Sequence, residues 1–143
     1  MTRLPDWEDR LNAYVMEVYD RPFEWGMNDC ALMSYGGAAA ITGEDKAATY
    51  RGRYTDRAGS ALALRELGKG TLLRTVNADY AKKPPSMAQR GDLVWFARSL
   101  GICMGAAALF VGEEHIADAA GLHMRDGLVS IPRALWQKAW SVG

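Results

Sequence analysis

Between Asp29 and Gly43 the chain reads Cys-Ala-Leu-Met-Ser-Tyr-Gly-Gly-Ala-Ala-Ala-Ile-Thr, without a single charge. Small and apolar residues fall on every side of a 3.6-residue helix there. A helix apolar nearly all round belongs in the interior. Asn28 or Asp29 supplies the helix start, and Gly43 is the left-handed stop that ends it. Such a helix must be enclosed, so the remaining sequence has to wrap it in other layers.

The flanking segments offer those layers. Trp7, Leu11, Tyr14, Val15 and Val18 recur at helical spacing after Asp6 as N-cap, and the pattern stops near Arg21-Pro22. Phe23-Glu24-Trp25-Gly26 reads as a tight turn, and a third helix is expected from about Asp56 to Leu67, ended by Gly68. Lys82-Lys83-Pro84-Pro85-Ser86 is the clearest break. Beyond it come short apolar runs punctuated by glycine: Asp92 to Phe96, Gly101 to Met104, Ala107 to Val111 and Leu128 to Ile131. Ala134 to Trp140 reads as a terminal helical turn. Helices segregated from strands imply an α+β fold, and 143 residues without repeats or linkers imply a single domain, 1–143.

Charge and composition narrow the function. Seventeen basic residues balance seventeen acidic ones, which disfavours nucleic acid as a partner, since phosphate neutralisation needs a basic excess. The longest apolar run, Ile102 to Val111, is too short to cross a membrane and is broken by Gly105. The charged N-terminal segment lacks a signal-peptide core, so synthesis in the cytoplasm is expected. Cys30 and Cys103 are expected to be free thiols. With His115 and His123 they offer zinc-ligand types but none of the close paired spacings of a zinc site, so neither metal nor cofactor is expected.

Cys30 has the greatest chemical promise. It sits just inside the start of the enclosed helix, where unpaired N–H groups carry partial positive charge and favour a thiolate. The Trp25-Gly26 turn and the N–H groups near Asn28 and Cys30 could receive an oxyanion. Asp29 opposes thiolate formation unless its carboxylate turns away to cap the helix. From spacing alone, a cysteine at a helix start is more often a small packing residue than a nucleophile.

Phe23-Glu24-Trp25-Gly26-Met27-Asn28-Asp29-Cys30 followed by a small-residue helix resembles the nucleophile segment of NlpC-type cell-wall cysteine peptidases. Arg90-Gly91-Asp92-Leu93-Val94-Trp95-Phe96 resembles the Gly-Asp-Leu-Val strand that follows in those proteins. Trp25 to Cys30, Arg51 to Tyr54, Gly91 to Val94, Gly101 to Gly105 and Leu135 to Trp140 are together similar to a branch of phage and prophage tail-region proteins. The resemblance implies a papain-like fold, with a central buried helix packed on a small antiparallel sheet from the C-terminal half. It also implies a place in the virion tail beside tail-hub or tail-tip proteins. Two functions follow as expectations: a tail-tip assembly protein with an incomplete catalytic site, or an active endopeptidase or amidase acting on peptidoglycan peptides.

The incompleteness lies in the base. The family places a histidine on the strand after Gly-Asp-Leu-Val, where it takes the thiol proton. Aligned on Gly101-Ile102-Cys103-Met104-Gly105 that position is Ser99; aligned on Ala108 to Gly112 it is Ala106. His115, after a Gly-Glu-Glu turn, and His123, in a glycine-bounded loop, are therefore the candidate bases for Cys30. Arg51 and Arg53 are expected to pair with nearby aspartates, and Trp95, Trp136 and Trp140 to be core or interface aromatics.

Overall fold

A computed structural model describes residues 2–143. Four helices come first: α1 (Trp7–Val18), α2 (Cys30–Thr42), α3 (Arg57–Leu67) and α4 (Leu72–Asp79). Six strands follow: β1 (Ala81–Lys83), β2 (Leu93–Phe96), β3 (Ser99–Cys103), β4 (Ala107–Asp118), β5 (Gly121–Pro132) and β6 (Lys138–Ser141). They form one antiparallel sheet in the order β1-β6-β2-β3-β4-β5. The molecule is an α+β protein with its helices on the N-terminal side of the sequence.

Why α2 is apolar all round is visible in its two neighbours. A Cβ at Gly37 would meet Ile102 of β3 at 2.4 Å, and one at Gly36 would meet the Tyr14 hydroxyl of α1 at 2.3 Å. The sheet and α1 both press on the helix, and only glycine admits them. Leu11, Met33, Ile41, Leu93, Ile102 and Trp140 are the centre of the core between helices and sheet. A second cluster, with Val94, Cys103, Phe110 and Trp136, covers the opposite face of the sheet.

The Gly-Asp-Leu-Val segment closes the fold through Asp92, which is 1% exposed. One oxygen accepts from Arg3 (3.0 Å) and the Val142 N–H (3.0 Å); the other accepts from Lys83 (2.6 Å) and the Gln89 N–H (2.8 Å). A buried carboxylate needs this degree of pairing. Here it clasps the two ends of the chain together.

Several expected boundaries change. α1 ends at Val18, and Asp6 pairs with Arg10 at 2.9 Å instead of capping the helix. α4 and β1 were not foreseen; the Lys82-Lys83 break is an edge strand pairing with β6. Residues 134–140 were expected to form a helical turn, but only Arg133–Leu135 forms a 3₁₀ turn, and Lys138–Ser141 is a strand between β1 and β2. β3 begins two residues earlier, at Ser99. The largest change is the β4–β5 hairpin, whose strands pair over twelve positions from Ala107↔Pro132 to Asp118↔Gly121. It absorbs the turn expected before His115 and the loop expected around His123.

Candidate active site

Asp29 organises the start of α2. Its Oδ1 accepts the Leu32 N–H at 2.9 Å, which caps the helix, while Oδ2 accepts the Gly26 N–H at 3.1 Å and the Tyr54 hydroxyl at 2.5 Å. The carboxylate thus turns inward, as a capping aspartate must to leave the neighbouring thiol free. Tyr54 belongs to Arg51-Gly52-Arg53-Tyr54, and Gly52 N–H donates to Gly26 O at 2.8 Å. A Cβ on Gly26, whose φ is +79°, would lie 1.9 Å from Tyr54 O. Two sequence motifs separated by more than twenty residues are therefore halves of one loop junction. Burial, followed by the bond to Asp29, drives the Tyr54 phenol far above its ordinary pKa. Arg51 pairs with Asp45 at 2.9 Å.

Cys30 follows as the first residue of α2, and its sulfur looks toward the head of β3. Burial pushes its thiol pKa up. The Leu100 N–H pulls the other way, the Asp29 charge adds to the rise, and the Ala31 N–H and Ser99 hydroxyl lower it. Desolvation is the largest of these effects, so the neutral thiol is favoured. The helix terminus is present as expected, but burial of the thiol outweighs it and shifts the pKa upward.

Ser99 is the residue facing the thiol. It lines the same cavity as Cys30, whereas Ala106 lies in the β3–β4 turn with its carbonyl bonded to the Arg133 N–H. Of the two candidate positions for a strand base, the one beside the sulfur carries a hydroxyl. His115 and His123 are on the outer part of the β4–β5 hairpin, both exposed, and neither lines the cavity. His123 faces Asp118 at 3.7 Å. The structure therefore does not bring these two candidate bases into the Cys30 cavity.

The supporting residues also resolve. Asn28 is buried, with Nδ2 donating to the carbonyls of Arg21 (3.1 Å) and Pro22 (2.9 Å), and its N–H is spent on Glu24 O at 2.8 Å. It fixes the α1–α2 connection and has no N–H left for an oxyanion. Trp25 stacks edge-on with Phe23 at 4.8 Å and forms one wall of the cavity. Trp95 and Trp140 meet edge-on at 6.1 Å in the core.

The cavity itself measures about 890 Å³ and lies between the start of α2, the helices α3 and α4, and the β2–β3 side of the sheet. Tyr54, Leu64, Leu72 and Trp95 give it a mainly apolar wall. No sequence pattern announced it, since its lining comes from α2, α3, α4, the loops flanking them and the strand side at Trp95, Arg98, Ser99 and Val111. At its edge the β2–β3 loop holds Ala97 at φ +50° and Arg98 at φ +62°. Two consecutive left-handed residues suit a two-residue hairpin, but without glycine they cost roughly 1–2 kcal/mol each. Among the described residues, no group of three or more His, Cys, Asp or Glu side chains could hold a metal ion.

The chain belongs to the DUF6950 family, a domain of unknown function whose family model matches residues 2–142. No curated protein and no solved structure matches it.

Proposed function

We propose that this protein is a papain-like domain of the NlpC kind that serves as an assembly component of a phage tail tip, with a catalytic pair that is incomplete. The observation that carries the non-catalytic reading is the Cys30–Ser99 apposition. A serine hydroxyl keeps its own proton at neutral pH and has almost no basicity to accept another, so it cannot serve as the general base that a neutral thiol requires. Support for the papain-like reading comes from a cysteine at the tip of an enclosed helix, aimed at the strand that follows Gly91-Asp92-Leu93-Val94. Support for the tail-tip reading comes from the motifs at Trp25 to Cys30, Arg51 to Tyr54 and Leu135 to Trp140, and tail-hub proteins are the partners they imply.

Two measurements test it. Mass spectrometry of purified virions is expected to find the chain in the tail, cross-linked to hub components; abundance in infected cells with absence from virions would overturn the assembly role. Incubation with muropeptides is expected to leave them intact for both wild type and Cys30→Ser. Cleavage by wild type that Cys30→Ser abolishes would establish instead a working peptidoglycan peptidase with another base.

A further inference from the structure

The cavity beside Cys30 has features that the catalytic comparison does not use. Its volume of about 890 Å³ falls within the roughly 300–1,000 Å³ of small-molecule sites. Three polar side chains along its wall are already engaged: the Tyr35 hydroxyl with Asp79 (2.7 Å), Tyr54 with Asp29 (2.5 Å), and Thr75 with Thr71 O (2.7 Å). Two cations are not. Arg57 and Arg98 both line the cavity and are both exposed, which puts them at its mouth. Among the described residues, neither forms an ion pair or a side-chain hydrogen bond.

The fold positions both guanidinium groups. Arg57, Ser60, Ala61 and Leu64 share one face of α3, and that face fronts the cavity; the only fully buried side chain of this helix is Ala63. The helix thus leans on open space where most helices lean on packed side chains. Arg98 is presented by the left-handed β2–β3 loop, a conformation that a residue with a side chain adopts at a cost.

We propose that this cavity binds a single acyl chain ending in an anionic head, with the chain against the apolar wall and the head at Arg57 and Arg98. Charge complementarity selects the head, since guanidinium groups recognise carboxylate and phosphate oxygens. The wall selects the tail. A peptide would bring one N–H and one carbonyl per residue against a mainly apolar wall with few polar partners, and each left unpaired is penalised. An acyl chain carries no such groups. The site requires no thiolate and no virion, so it stands or falls apart from the tail-tip reading.

Isothermal titration of the full chain with dodecanoate, below its micelle concentration, tests the proposal. Saturable one-to-one binding with a negative heat-capacity change is expected. Arg57→Gln and Arg98→Gln should each weaken it by about tenfold, the loss of one charge-assisted contact. Octanoate should bind roughly a hundredfold more weakly than dodecanoate, because each buried methylene contributes. Ala61→Trp, at an exposed position on the face of α3 that fronts the cavity, should obstruct part of it and weaken binding while circular dichroism shows a native fold. Dodecyl phosphate compared with dodecanoate identifies the head: tighter phosphate binding indicates a phospholipid source, tighter carboxylate binding a free acid, and either order supports the site. Binding of dodecyltrimethylammonium as tight as that of dodecanoate, or no gain from octanoate to dodecanoate, would overturn it.

Discussion

The two faces of the sheet each hold one cysteine, and the two thiols live differently. Cys103, on β3, is fully buried among Val94, Phe110 and Trp136. Beside it the Arg133 guanidinium donates to the carbonyls of Pro85 (3.1 Å), Ala88 (3.0 Å) and Gly105 (2.7 Å) and lies over the Trp136 ring. That face is packed shut. Cys30, on the helical face, is half-buried and borders the large cavity. Burial raises both thiol pKa values, so chemical softness does not distinguish them. Access does. A thiol becomes a site when the packing around it stops short.

Disrupting the junction under Cys30 should cost most. Asp29→Ala removes the cap of α2 and strands the Gly26 N–H and the Tyr54 hydroxyl, so urea denaturation should show a loss of about 3 kcal/mol or more. Cys30→Ala, one residue away, should cost under about 1 kcal/mol, because its sulfur borders open space. On the opposite face, Arg133→Ala should cost about 2 kcal/mol through its carbonyl bonds. A loss for Arg133→Ala larger than for Asp29→Ala would reverse the ranking of the two faces.

The thiols themselves give a smaller, sharper contrast. Iodoacetamide should label Cys30 alone in the native protein, with a pH midpoint above the ordinary thiol value of about 8.5, and reach Cys103 only after unfolding. Ser99→His should move that midpoint to lower pH and raise labelling at pH 7 by roughly tenfold, since an imidazolium beside the sulfur favours the thiolate. An unchanged midpoint would mean that residue 99 does not govern the thiol.

The smallest effect is on stability against pH. Cys30 has a raised pKa in the folded chain, so above about pH 8.5 the unfolded chain releases its thiol proton first and binds fewer protons than the folded one. Its contribution is fully present below that pH and is lost as the pH climbs through the folded pKa. Denaturation midpoints should therefore fall between pH 8 and 10, and fall less steeply in Cys30→Ala. Equal slopes would show that the sulfur is not desolvated.

Much of the helical half was legible without coordinates. The N-cap at Asp29, the stop at Gly43, and the glycines and alanines between them act within a few residues, and so does the cap at Asp56 that starts α3. Ser99 and Ala106 were both readable as strand positions opposite the thiol; only the fold shows that Ser99 lies beside it. The strands were less readable. Glu113 to Asp126 carries carboxylates, histidines and three glycines if Gly112 and Gly127 are included, a composition with no strand preference of its own. It is extended because each strand has the other to pair with.

Local chemistry thus settled which helix is enclosed and that a cysteine stands at its tip. Tertiary structure alone decided that the sulfur faces serine, that both histidines are held on an outlying ribbon, and that Tyr54 completes the Asp29 junction. It also decided that α3 bridges a void with two arginines at the rim. Caps and periodicities are written in neighbouring residues, whereas a cavity is the space left between elements far apart in the chain. No stretch of sequence encodes that space by itself.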